Sequence, residues 1–270
     1  MRLNLLGVRG STPVSGQNFN RYGGHTSCVA VTASGDTRPT VALDAGTGLQ
    51  NFTALMQGEP FGGTILLSHL HWDHMQGLPF FRAGDRDDSD VRMCVPAQDG
   101  LSGEQLLRQS MAPPAFPITP AGLRGSWKFA AIEPGAYQIE SFTVTAAEVR
   151  HKGGRAFGYR VSDGFTDIAY LPDHVARGEI TAGLESLVRG VDVLLHDAQF
   201  VEAERSLADA YGHSTIGDAV ELAVSLDVGR LVLFHHSPVR TDDQLDALAA
   251  DIDAPMPVDM ACEGLVLDLG

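Results

Sequence analysis

Basic side chains are scarce in this chain: 19 lysines and arginines stand against 34 acidic residues, for a formal charge of −15. Binding along a phosphate backbone draws on clustered lysine and arginine, so this balance argues against a long nucleic acid as partner, although it leaves room for a local basic pocket. Cysteine is rarer still. Cys28, Cys94 and Cys262 are isolated and odd in number, with no CxxC pair, which argues against a disulfide framework and a thiolate zinc knot and leaves them as small buried apolar residues. No stretch of about 18 apolar residues exists to span a bilayer, and the opening segment MRLNLLGVRGSTP has too short an apolar run for a signal peptide. The expectation is a soluble, cytoplasmic protein with no membrane partner.

What is present is a chain of 270 residues, 44% hydrophobic, which reads as one large domain spanning residues 1–270. Apolar stretches predict strands at Arg2–Val8, Cys28–Thr32, Thr40–Leu43, Ile65–Leu67, Val91–Val95 and Phe142–Val149. Further strands are predicted at Phe157–Val161, Ile168–Leu171, Val193–Leu195, Leu231–Phe234 and Leu265–Leu269. Helical periodicity runs through TGLQNFTALMQ, GEQLLRQSM, ITAGLESLVRG, HSTIGDAVELAVSLDVG and DDQLDALAADI. A strand-rich first half followed by alternating strands and helices predicts sheets packed between helices. One irregular segment, Met111 to Gly125, carries four prolines and predicts a surface loop or lid.

The densest chemistry lies in SHLHWDHMQG, Ser68 to Gly77, immediately after an apolar run. His69 and His71 stand two apart at a strand end, so both imidazoles can leave on one side, and Asp73 and His74 follow in what reads as the first turn of a helix. Imidazole and carboxylate oxygen suit Zn²⁺, Mn²⁺ or Fe²⁺. The chain has ten histidines, and all but His25 fall in short segments that follow predicted strands: HLHWDH, VRHKGG with His151, YLPDHV with LLHDAQ and GHST (His174, His196, His213), and LFHHSP with His235 and His236. The clustering points to a metal centre.

With these residues in view, the chain resembles the metallo-β-lactamase fold superfamily, whose HxHxDH pattern stands here as His69-Leu70-His71-Trp72-Asp73-His74. The resemblance covers nearly the whole length: LDAGTG, Leu43 to Gly48, is similar to the superfamily's first structural element, with Asp44 bracing the ligand loop. His151, Asp173 in YLPDH and His235 follow in the expected order. The resemblance implies an α/β fold, a four-layer αββα sandwich, and a dinuclear site. One metal would take His69, His71 and His151, the other Asp73, His74 and His235, with Asp173 and a hydroxide between them. Two divalent ions so placed lower the pKa of a shared water and clamp the attacking and leaving oxygens. Zinc is the first choice, with manganese or iron as alternatives. Asp73 reads equally as ligand and as catalytic base.

Within the superfamily, HKGGRAFGYRV, LLHDAQF, GHST and LVLFHHSP resemble the phosphodiesterase branch that includes ribonuclease Z, with Asp197 and Gln199 standing where that enzyme has Glu and Thr. Ribonuclease Z of the bacterial type extends a basic arm between the segments corresponding to His151 and Asp173; here only residues 152–172 lie between them. With the acidic charge, this sets the expected substrate as a small phosphodiester, a cyclic nucleotide being one such, ahead of a tRNA 3′ end. A lactonase or thiolester hydrolase on the same core is the competing enzyme class, and a non-catalytic sensor a further alternative. The resemblance is compatible with a homodimer.

Other residues receive narrower expectations. By analogy with ribonuclease Z, His213 contacts a phosphoryl oxygen or protonates the leaving group, while Ser214 caps the following helix. His196 and Asp197 are candidates to orient a ligand imidazole. His174 and His236 should point away from the ligands beside them. Arg9 and Arg21, near His25 in the Gly-rich start, could pair with phosphate or form structural salt bridges. Trp72 is expected to pack beneath the metal loop.

Overall fold

The computed structural model describes residues 1–270 throughout. One seven-stranded sheet holds β1 (Arg2–Gly7), β2 (Cys28–Thr32), β3 (Val41–Leu43), β4 (Gly62–Leu66), β5 (Asp90–Pro96), β6 (Ser126–Ile132) and β14 (Val266–Asp268), in the order β14-β1-β2-β3-β4-β5-β6. The other holds β7 (Gly135–Ile139), β8 (Phe142–Val149), β9 (Ala156–Ser162), β10 (Asp167–Leu171), β11 (Val193–Asp197), β12 (Leu231–Phe234) and β13 (Val258–Met260), in the order β13-β12-β11-β10-β9-β8-β7. Strands β3 to β6 and β10 to β13 run parallel within their sheets.

The apolar runs explain why these sheets sit in the interior. A strand's side chains alternate between faces, and here both faces are buried. In β2 and β3, Val29, Val31, Val41 and Leu43 enter the core between the sheets, while Cys28, Ala30 and Ala42 face an outer core shared with α1 (Leu49–Leu55) and α3 (Gly103–Arg108). In β11 and β12, Val193, Leu195, Val232 and Phe234 join the central core, and Leu194, Leu231 and Leu233 face the helices α4 (Ala182–Val188) and α6 (Ile216–Ser225). Each fully buried Val, Leu or Phe contributes about 1.5–3 kcal/mol, so the layers are held by the same alternation that a parallel, doubly covered sheet requires. The result is the expected αββα sandwich, with Cys28 and Cys94 buried in its apolar layers.

Three strands went unread in the sequence, β6, β7 and β13. Their residues are largely exposed or half-buried, so no apolar run marks them. The segment Met111 to Gly125 is a surface loop rather than a lid: Met111, Leu123 and Phe116 anchor it to the outer core of the first sheet, and none of its residues lines the cavity described below. Ser214 does not cap α6. Thr215 does, its Oγ1 accepting from the Asp218 amide at 3.2 Å, while the Ser214 hydroxyl donates to the His174 carbonyl at 2.5 Å. No helix is long and apolar enough to cross a membrane.

Candidate metal centre

Residues gather where strands end. Asp44 follows β3, His69 and His71 follow β4, His151 follows β8, Asp173 follows β10 and His235 follows β12. Two hydrogen bonds join the sheets directly beneath this edge, from the Tyr159 hydroxyl to the Leu67 carbonyl at 2.6 Å and from the Phe157 amide to the Ser68 carbonyl at 2.8 Å. Asp73 and His74 extend from a single helical turn, α2 (Trp72–Met75).

The seven residues converge as two groups that share one carboxylate. Asp173 Oδ2 lies 3.6 Å from His69 Nε2 and 3.5 Å from His151 Nε2, while its Oδ1 lies 3.0 Å from His74 Nε2 and 3.1 Å from His235 Nε2. His71 Nδ1 sits 3.2 Å from His151 Nε2. Asp73 Oδ2 lies 3.3 Å from His74 Nε2 and 3.1 Å from His235 Nε2.

The imidazoles are held from behind. His74 Nδ1–H donates to Asp44 Oδ2 at 2.7 Å, and the same oxygen accepts from the Tyr170 hydroxyl at 2.8 Å and the Ser68 hydroxyl at 2.9 Å. His69 Nδ1–H donates to the Ser68 hydroxyl oxygen at 3.0 Å, and His151 Nδ1–H to the Gly212 carbonyl at 2.7 Å. At His69 and His151 the bond fixes a tautomer whose Nε2 lone pair points inward; burial opposes a charge on His74, but Asp173, Asp73 and Asp44 outweigh it and raise that imidazole well above its ordinary range. The backbone amide of Ser11 donates to Asp73 Oδ2 at 2.6 Å, a contact no side-chain pattern could signal. Asp44, Ser11 and His235 all adopt left-handed backbone conformations, with φ of 61°, 64° and 60°.

These atoms fit divalent ions. His69 Nε2, His74 Nε2 and Asp173 Oδ1 are buried without a hydrogen-bond partner, an arrangement that is costly unless something satisfies them. Burial holds the imidazoles of His69, His71 and His151 below their ordinary range, which keeps their lone pairs free. Burial favours the neutral acid of Asp73 and Asp173, but the surrounding histidines outweigh it and hold both carboxyls low. Neutral imidazole and ionised carboxylate are the ligand forms that Zn²⁺, Mn²⁺ and Fe²⁺ take.

The cavity over this centre encloses about 760 Å³ and is lined among others by His71, Asp73, His151, Asp173 and His213. A family model described as the beta-lactamase superfamily domain matches residues 40–236. The chain belongs to the metallo-β-lactamase superfamily. Ribonuclease Z of Nocardia farcinica is 34% identical to it over 279 aligned residues, covering 87% of this chain and 87% of its own. Among solved structures, the metallo-β-lactamase fold protein YhfI from Bacillus subtilis gives a TM-score of 0.75 at 18% identity over 99% of each chain. A diphosphatase of the PhnP family gives 0.71 at 19% identity over 100% of this chain and 98% of its own. The chain is thus a metal-dependent hydrolase of the superfamily's ribonuclease Z-like branch.

Against that superfamily frame, the remaining residues fall into place. Asp197 orients His213 rather than one of the seven clustered residues, its Oδ2 accepting from His213 Nδ1 at 2.7 Å and from the His174 amide at 3.0 Å. Burial opposes a charge on His213, yet Asp197 outweighs it and raises the imidazole to about 9. His196 meets His174 instead, Nε2 to Nδ1 at 2.9 Å. His236 turns away to the Ala261 carbonyl at 2.8 Å, and His25 lies apart beside Glu263.

Neither arginine reaches the cavity. Arg9 is fully buried, donating to the carbonyls of Gly23 and Arg240 at 2.8 and 2.7 Å with Asp242 at 3.6 Å, and Arg21 pairs at the surface with Asp243 and Asp246. The expectation for Trp72 is overturned. It is 72% exposed and lines the cavity mouth, because the one-turn helix that carries Asp73 and His74 inward turns its first residue outward.

Proposed function

We propose that this protein is a dinuclear metal-dependent phosphodiesterase acting on a small molecule, a cyclic nucleotide being one candidate. The observation that carries this reading is the division of Asp173, one oxygen toward His69 and His151 and the other toward His74 and His235. His69, His71 and His151 would hold one ion and Asp73, His74 and His235 the other, with Asp173 between. Ions bound there, zinc first with manganese or iron as alternatives, supply water activation and neutralisation of phosphoryl charge.

The chain's own groups do the rest. The Ser11 amide fixes the Asp73 carboxylate that receives the water's proton or holds the ion. Asp197 holds His213 by Nδ1, leaving Nε2–H for a phosphoryl oxygen or the departing oxygen. Support for a small substrate comes from the net charge of −15 and from the cavity lining, where Lys152 is the one lysine or arginine. Residues 152–172 are largely consumed by the tight β9–β10 hairpin, which leaves no length for a basic arm.

The Nocardia relative named ribonuclease Z favours a second reading, cleavage at the 3′ end of a tRNA. Hydrolysis of bis(p-nitrophenyl) phosphate by metal-reconstituted protein, absent in Asp73→Ala, supports the diesterase reading, and cleavage of precursor tRNA at comparable efficiency would shift it to RNA. Turnover of lactones or thiolesters alone would move the assignment to carbonyl substrates.

A further inference from the structure

We propose that the cavity mouth is a stacking subsite for a planar ring, built from Trp72 and Tyr211 with Lys152 beside them, so that the substrate is a phosphodiester of the nucleoside or aryl class. This rests on the phosphodiesterase reading above and specifies its substrate. Ten large hydrophobic side chains are exposed on this molecule, and the eight others, such as Phe165 at 90% and Val239 at 75% exposure, lie outside the cavity lining. Trp72 at 72% and Tyr211 at 58% both line it.

They come from opposite halves of the sandwich, and each is tied by sequence to the reacting centre. Trp72 sits between His71 and Asp73. Tyr211 ends α5 (Arg205–Tyr211), two residues before His213. Such tethering keeps both rings within the cavity that lies over the reacting centre. Leu70, Phe200 and Pro238 add apolar wall to the same cavity. Flat π faces take planar rings in offset or edge contact, and base–aromatic stacking is tolerant of which base is presented.

Lys152 supplies the matching charge. Its Nζ donates to the Ala210 carbonyl at 2.7 Å, and its stem packs on Gly212, where a Cβ would lie 2.9 Å from that of Lys152. Gly212 has a φ of 80° and ends α5 in the conformation glycine adopts freely. The ammonium is therefore held at the end of α5 beside Tyr211, with donors left for an anionic oxygen. An alkyl phosphodiester would satisfy the cation and leave both rings bare; a nucleoside phosphate covers all three.

The test is binding to the metal-loaded protein. Trp72 and Trp127 are the two tryptophans, so in a Trp127→Phe protein the indole fluorescence reports Trp72 alone. Adenosine 5′-monophosphate should quench it saturably and bind about tenfold or more tightly than methyl phosphate. By calorimetry, Trp72→Leu and Tyr211→Leu should each cut that preference about fivefold or more, Trp72→Phe should keep it, and Phe165→Ala should keep it too. Equal affinity for the two probes, or a preference untouched by both leucine variants, overturns the subsite. Bis(p-nitrophenyl) phosphate turnover separates the two claims: ring preference without turnover sustains the subsite and removes the diesterase reading, and turnover without ring preference does the reverse.

Discussion

Gly10 lies against the imidazole of His235 so closely that a Cβ on it would sit 2.4 Å from the ring's Nδ1 and Cε1. The glycine is needed for this approach, since the His235 ring forms one wall of the metal centre. Gly10→Ala should displace that ring while leaving the sandwich intact. Metal content should fall from two ions per chain toward one, with hydrolysis reduced about 10–100-fold and the circular dichroism spectrum unchanged. Full loading with normal turnover would show that the His235 ring does not depend on this close approach.

Asp44 accepts hydrogen bonds from His74, Ser68 and Tyr170 while holding a left-handed backbone. Asn tolerates that conformation, so Asp44→Asn isolates the charge and acceptor pattern from the fold. Metal affinity, measured by competition with a chelator, should drop about 10–100-fold because His74 loses the anionic partner that fixes its ring.

His213 in the metal-free protein carries a pKa of about 9, held there against burial chiefly by Asp197. Unfolded histidine titrates near 6.5, so the pair stabilises fully below about pH 6.5, and that contribution is lost as pH rises toward about 9. Thermal denaturation of metal-free protein should show a stability loss across this window that Asp197→Asn largely removes. A parallel pH profile for both proteins would show that the pair is not linked to folding.

Tyr159→Phe removes the bond from Tyr159 to the Leu67 carbonyl, which joins the two sheets beneath His69. The carbonyl is then buried without that partner, at a cost of about 1–3 kcal/mol. Urea denaturation should show this loss with an unchanged slope.

The four layers were legible because both-face burial leaves continuous apolar runs, as in Cys28–Thr32 and Leu231–Phe234. The clustered residues were legible for different reasons: His69 to His74 sit within one dense strand-end segment, whereas His151, Asp173 and His235 were picked out by the superfamily resemblance, since His174, His196 and His236 stand at strand ends as well. What escaped has no local signature. Ser11 acts through a backbone N–H, Asp197 serves His213 through a contact that only the fold creates, and the outward turn of Trp72 depends on a helix one turn long. β6, β7 and β13 lie too near the surface to carry an apolar stripe.

Asp44, Ser11 and His235 are non-glycine residues held in a backbone region that such residues seldom occupy, and all three touch or brace the metal centre. Strain of this kind costs on the order of 1 kcal/mol or more at each position, against a net stability of about 5–15 kcal/mol for a typical domain. Gln57, Asp99, Glu140 and Asp227 share this conformation away from the centre, but at Ser11, Asp44 and His235 the strain falls on residues whose positions the hydrolytic face depends on. Glycine would ease the backbone at each position, but at Asp44 it would leave the buried donors of Ser68, His74 and Tyr170 without their acceptor, a larger loss than the strain it relieves.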